Sequence, residues 1–343
     1  MLGIQVKRMA ISNKKQSSGF SMVELLVAMA VGVIIISGAF SLHLGTRKTQ
    51  VKNEEQMDMV ADARFAIDMI AYDLRHAGMW GGTNKEGLID CQSTNKCTVA
   101  TASGDTWPDD MVGDCIAGWY YDLSRAIFAT DDADGNPYAG TCIPATEGYV
   151  AGTDILEIRY ADSNIANPLL PNQVYVRSNF ITGRLFVGTV PPVLDSYDDN
   201  ALTLNHELHA YAYYISDYTD DVDDGIPSLR RIALVNSPSV QRQTLMSGVT
   251  DLQVQFGVDV TGDAEIDLYE NANVITANDD WDNVYAAKIW LVMRTDKVQK
   301  GVDTNKDSIA FTLADKTVTL GGQDDFRYYM ITSVVNLRNL KQQ

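Results

Sequence analysis

Residues 14–40 read KKQSSGFSMVELLVAMAVGVIIISGAF, and the rest of the chain is best understood outward from them. Two lysines and a lone glycine, Gly19, precede an apolar run that continues to Leu44 and holds one clearly ionised side chain, Glu24. As a helix, Phe20 to Leu44 would span about 37 Å, enough to cross the hydrocarbon layer of a membrane. The basic residues Lys7, Arg8, Lys14 and Lys15 hold the N-terminus in the cytoplasm and place everything after Leu44 on the outer side. A secretory signal puts its small-residue cleavage site after a shorter apolar core, whereas here the small residue comes first. Cutting after Gly19 would remove the basic leader and keep the helix.

The string Gly19-Phe20-Ser21-Met22-Val23-Glu24-Leu25 resembles the processing motif of type IV pilins and type II secretion pseudopilins. The resemblance implies cleavage after Gly19 by a prepilin peptidase and methylation of the new N-terminal amine at Phe20. Physical chemistry gives Glu24 a part beside it. An ionised carboxylate at this depth costs several kcal/mol without a partner. In a bundle of such helices the natural partner is the α-amino group of Phe20 on a neighbouring subunit. The competing reading has Glu24 snorkelling to the headgroups near the helix end.

Beyond Leu44, Val51, Val60, Ile67, Ile70, Ala71 and Leu74 recur at helical spacing, with Lys52, Glu55, Asp58, Asp62 and Asp73 on other faces. The spacing predicts one helix from Phe20 to about His76, apolar all round at first and amphipathic later, with Gly78, Gly81 and Gly82 as its stop. Gly32 and Gly38 lower helix propensity and permit close packing. From there the pattern changes to alternation and turns, with strands expected in DILEIRYA, NQVYVRS, ELHAYAYYIS, SLRRIALV, DLQVQFGVDV, VYAAKIWLVMRT, SIAFTLADKTVTL and FRYYMITSVVNLR. DLQVQFGVDV alternates as a half-buried antiparallel strand does. One long helix followed by many strands makes the fold α+β: a long N-terminal helix packed on an antiparallel β-rich head, as in pilins. The expected organisation is a leader at 1–19, the transmembrane and assembly helix at 20–76, and a periplasmic head at 77–343. In that head an irregular part, 81–152, precedes a regular sheet, 153–343.

The full layout is also similar to PilW-type minor pilins, through AYDLRHAGMWGG at the helix end, DDGIPSLRR, LQVQFGVDVTGDAEIDLY, WDNVYAAKIWLVMRT and the terminal FRYYMITSVVNLRN. That resemblance implies a subunit priming type IV pilus assembly at or near the tip, in twitching, adhesion or DNA uptake. The partners it implies are the prepilin peptidase, other minor pilins, the major pilin and the inner-membrane assembly platform. The implied location is the inner membrane, then the pilus at the cell surface. A type II secretion pseudopilin and a membrane-tethered calcium-dependent adhesin are the alternatives.

The formal charge of −18 argues against direct nucleic-acid binding, which needs a positive surface to displace counterions. Cys91, Cys97, Cys115 and Cys142 are even in number, clustered and beyond the export signal, so two disulfides are expected. Of the three connectivities, Cys91 with Cys97 and Cys115 with Cys142 close local loops. DVTGDAEIDLYE offers candidate calcium ligands at Asp259, Asp263, Glu265, Asp267 and Glu270, near EF-hand spacing. Its glycine is misplaced, with Ala264 at the sharp-turn position, so a solvated acidic turn is the competing reading. His206 and His209 in HELH would face opposite sides of a strand and read as structural. No nucleophile elbow, P-loop or dinucleotide fingerprint occurs, so neither an enzymatic activity nor an organic cofactor is expected.

Overall fold

A computed structural model of the chain describes residues 19–90, 123, 125–140, 142–194, 202–235, 239–296, 308–321 and 326–340. The chain divides into two compact units between Glu54 and Glu55. The first unit is helical. Helix α1, Met22–His76, starts there and runs on into the second unit without a break. Its apolar residues from Phe20 to Leu44 are exposed along the helix, and by length and composition it can cross a membrane. Thr46 and Thr49 turn their hydroxyls back onto the carbonyls of Leu42 and Gly45 at 2.9 and 3.1 Å, so polar groups appearing beyond the apolar run are satisfied along the helix itself.

In the second unit α1 buries Met59, Ala63, Ala66, Ile67, Ile70, Ala71 and Leu74, one stripe at spacings of three and four. Three of these are alanines, which let the helix axis approach a sheet closely. The helix stops where Gly78 takes φ +77°, and a Cβ at that position would lie 2.5 Å from a Leu340 methyl. The Gly78 amide then donates to Arg159 O, tying the helix end to a strand.

Around the helix end are two sheets. The larger contains β1 (Ile89–Asp90), β2 (Ile127–Thr130), β3 (Ile155–Ala161), β4 (Val174–Ser178), β5 (Gly183–Val187), β6 (Leu204–Ser216), β7 (Ser228–Val235) and β8 (Ser239–Ser247). All its pairs are antiparallel except β1 with β5. Thirteen residues long, β6 organises this sheet, pairing with β4, β3 and β7 along successive parts of its length. The smaller sheet runs β10 (Leu268–Asn271), β9 (Val249–Val258), β11 (Val284–Arg294), β14 (Tyr328–Asn336), with a short helix α2 (Ala272–Asn278) after β10.

The helix stripe joins one face of both sheets in a shared core holding Ile158, Tyr213, Leu229, Leu252, Phe256, Ile289 and Val335. A second core, with Trp80, Ile143, Val176, Ala210 and Tyr214, covers the opposite face of the larger sheet. A hairpin of β12 (Ser308–Leu313) and β13 (Lys316–Gly321) packs Leu313, Phe311 and Val318 on the outer face of the smaller sheet over Trp290 and Val292. The α+β architecture, a long N-terminal helix with an antiparallel β-rich head, is that expected from the sequence.

Several local expectations change. SIAFTLADKTVTL forms two strands, because Ala314 adopts φ +51° and reverses the chain. DLQVQFGVDV stops at Val258, leaving Val260 56% exposed. It is also more than half-buried, since Asp251 and Gln253 on its other face are covered as well. Within 81–152, β1 and β2 join the sheet, and β8 was not foreseen. Asp73, expected on a polar helix face, is 4% exposed.

Four buried or half-buried acids meet where β2, β3, β9 and β13 come together. Thr130 pairs with Ile155, so Asp131 and Asp154 follow as opposite neighbours just past the ladder. Asp154 takes the Val254 amide at 2.7 Å, and Lys316 Nζ lies 3.4 Å from Asp132 and 3.3 Å from Asp251. Burial pushes the Asp131 carboxyl up to about 6, partly offset by the Ala133 amide and reinforced by Asp132. Its folded value is raised, so the ionised form is what the fold disfavours. Stability from this site is present at low pH and lost as pH rises through about 6. Asp131→Asn should therefore be more stable than wild type at pH 8, with the difference closing as pH falls below about 6; urea titrations at both pH values measure it, and a pH-independent difference would contradict the assignment.

Candidate functional site

The sequence-predicted site begins at an exposed chain end. Gly19 and Phe20 precede the helix in non-helical backbone, and the Phe20 ring is exposed. The Ser21 hydroxyl accepts from the Val23 amide at 3.3 Å and its carbonyl from the Leu25 amide at 3.1 Å. Ser21 thus caps α1, leaving the Gly19–Phe20 bond just outside the first turn. Glu24 lies in that turn, three residues after the cap, where a carboxylate interacts favourably with the positive end of the helix dipole. That interaction offsets part of its cost in an apolar setting. Among the described residues Glu24 has no side-chain partner, and it is exposed. The Gly19–Phe20 bond is thus exposed in non-helical backbone, and the Glu24 carboxylate is exposed in the first helical turn.

Sequence reasoning missed the buried polar centre that holds the other end of α1. Asp73 Oδ1 accepts from the Tyr160 hydroxyl at 2.7 Å, and Oδ2 accepts from the Tyr213 hydroxyl. Arg231 Nη1 lies 3.9 Å from Oδ2, its guanidinium stacked 4.2 Å from the Tyr211 ring centre and its Nε donating to Gln243. The three partners come from β3, β6 and β7. Burial raises the Asp73 carboxyl above the ordinary range, while Tyr213, Tyr160 and Arg231 pull it back down. Burial and the nearby Asp73 charge push the Tyr160 and Tyr213 hydroxyls up, so both stay protonated donors at neutral pH. The signal that could have found this site is periodic: Asp73 sits between Ile70 and Leu74 on the apolar stripe.

The two histidines of HELH do lie on opposite faces of β6. His206 Nδ1 is 2.8 Å from Asp162 O, and His209 Nε2 is 3.2 Å from Asp162 Oδ2 with its ring stacked on Tyr211. Both are occupied in holding the β3–β6 end together.

At the acidic turn the carboxylates serve the loop itself. Asp259 takes the amides of Thr261, Gly262 and Ala264 at 3.1, 2.6 and 2.7 Å. Asp267 takes those of Val260 and Thr261 at 2.8 and 3.0 Å, and Asp263 that of Glu265 at 3.0 Å. Ala264 turns at φ +65°, in place of the glycine an EF-hand uses. Glu270 lies on β10. Among the described residues no three acidic, histidine or cysteine side chains gather into a group that could hold a metal ion, so the structure does not bring these five calcium candidates together as a site. Cys142 is buried and disulfide-bonded; Cys91, Cys97 and Cys115, and with them the expected pairings, lie outside the described residues.

Comparison with known proteins places the same two regions. Residues 14–40 match the prokaryotic N-terminal methylation motif, and residues 212–339 match the family described as type IV pilus-assembly protein W. The second match runs from the middle of β6 through β14. No curated protein and no solved structure matches the chain.

Removing one hydroxyl from the Asp73 centre leaves a buried oxygen without a donor. Tyr213→Phe should lower head stability by about 1–3 kcal/mol in urea unfolding. Asp73→Asn, which keeps the volume but loses the charge facing Arg231, should also destabilise; equal stability of both variants with wild type would show that the centre contributes nothing to holding the helix.

Proposed function

From a chain with a prepilin-type N-terminus and a head matching a pilus-assembly family, we propose a minor pilin of the PilW type that takes part in type IV pilus biogenesis. A prepilin peptidase cuts after Gly19, the new amine of Phe20 is methylated, and α1 holds the subunit in the inner membrane with its head in the periplasm. The subunit then enters the fibre at or near its tip, with other minor pilins, the major pilin and the assembly platform as partners. It works by assembly, with no catalytic chemistry of its own.

The observation that carries this reading is a single helix with two ends of opposite character. One end exposes Gly19, Phe20 and Glu24, the last without a side-chain partner among the described residues; the other is built into the head's core through its apolar stripe and Asp73. Glu24 supplies the bias toward assembly: costly in lipid, its charge is relieved when a neighbour's Phe20 amine meets it. The acidic head supports an end position, since like charge repeated along a shaft would accumulate. A secretion pseudopilin would share the processing chemistry, and loss of secretion instead of piliation in a deletion strain separates the two.

Replacing Gly19 with a bulky residue should leave the precursor uncut and abolish its contribution to piliation, read by N-terminal sequencing for N-methyl-phenylalanine and by counting pili. Glu24→Val should still be processed but enter the fibre poorly, so that it stays in the membrane fraction. Normal incorporation of this variant would remove the charge-pairing argument.

A further inference from the structure

The β12–β13 hairpin lies on the head without joining its sheets: among the described residues its strands pair only with each other. Its Leu313 is buried, and Phe311, Val318 and Leu320 lie half-buried against Trp290 and Val292. Isolated hairpins are marginal in water, so its place depends on this apolar contact and on one charged side chain. Lys316 Nζ, at the turn, donates to Gly152 O and stands 3.4 Å from Asp132 Oδ2 and 3.3 Å from Asp251 Oδ2. An ammonium has three protons, and these three acceptors take them.

The site that receives Lys316 holds more negative charge than one ammonium can meet. Asp131 and Asp132 reach it from the end of β2, Asp154 from the start of β3 and Asp251 from β9, while the hairpin's own turn adds Asp315. Tyr149 faces it too, but its hydroxyl, donating to Thr153 O, is pushed by burial up to about 12 and stays neutral. Asp154 is 3% exposed, and its Oδ2 takes the Val254 amide. Its Oδ1 is buried without a hydrogen-bond partner, as is the hydroxyl of Thr130, the residue paired with Ile155. An ionised Asp154 would leave that oxygen uncompensated, so burial holds its carboxyl well above the ordinary range. Asp131 is raised to about 6 by burial, with Asp132 and, across the contact, Asp315 adding like charge.

A further carboxylate therefore finds no proton left on Lys316 and meets Asp315 instead. We infer that the hairpin is a pH-sensitive strap, anchored by Lys316 over Trp290 and Val292 while Asp131 and Asp154 carry protons, and lifting from the smaller sheet as they ionise. Lifting opens the site to water and returns Asp131 toward the ordinary carboxylate range. The closed form thus holds the proton more tightly; its advantage is present at low pH and lost as pH rises through about 6. Lifting also bares Trp290 and Val292, which are 7% and 0% exposed beneath the strap, so protonation controls access to an apolar strip of the sheet. This stands whether or not the chain works in a pilus.

Hydrogen exchange of the full-length chain in detergent micelles, corrected for the intrinsic rate at each pH, reads the strap, because a lifted hairpin frays. The β12 and β13 amides should exchange well before those of β9 and β11, through an opening insensitive to low urea, which marks a local event. From pH 5 to pH 8 that opening should become about tenfold more populated. Asp131→Asn should hold the change to about twofold or less. Asp315→Asn, at an exposed turn position, should shrink it while leaving β9 and β11 protected, and Lys316→Met should raise opening at both pH values. Hairpin exchange that is independent of pH, that occurs only together with β9 and β11, or that ignores both Asp315→Asn and Lys316→Met would overturn the inference.

Discussion

A carboxylate in a protein core is tolerated only where donors reach both of its oxygens, and Asp73 meets that condition with hydroxyls from two different strands. The apolar stripe of α1 supplies most of the burial, but hydrophobic contact is non-directional and would accept the helix rotated or shifted by part of a turn. Two tyrosine hydroxyls and a nearby guanidinium accept far fewer arrangements. Helix position, the tilt of β6 under it and the placement of β3 and β7 are therefore set together by one side chain that a polarity count assigns to solvent.

The same helix carries a second acid with the opposite fate. Glu24 has a helix terminus beside it, which favours its charge, and no side-chain partner among the described residues. Asp73, by contrast, is satisfied within the chain. Both lie on α1, which runs from Met22 to His76 without a break.

The sheets divide their edges along similar lines. The larger sheet is covered on both faces, by α1 and by the segment around Trp80 and Ile143, and its edges are short or bear charge. The smaller sheet is covered outside by the β12–β13 hairpin, and among the described strands β14 pairs with β11 alone. Acid-rich turns such as 259–267 use their carboxylates on their own amides, which explains why spacing resembling a cation loop need not gather ligands. Spacing along a chain specifies where oxygens could come from, whereas the direction of each side chain depends on which backbone donors the turn leaves nearby.

The sequence by itself determined the helix, its apolar first half, the motif around Gly19, Phe20 and Glu24, and most of the long strands, because these depend on local composition and on periods of 3.6 and 2. Only the tertiary structure decided that Asp73 is a core residue, that 308–321 is a hairpin, that β8 and the four-residue β2 belong to the larger sheet, and that β14 pairs with β11 alone among the described strands. Each of those depends on which distant segment lies alongside: Asp73 on tyrosines 87 and 140 positions away, β14 on the side of β11 that no other described strand takes. Local pattern has no access to such pairings, since a donor's identity and its direction become known only once the chain has brought it within about 3 Å.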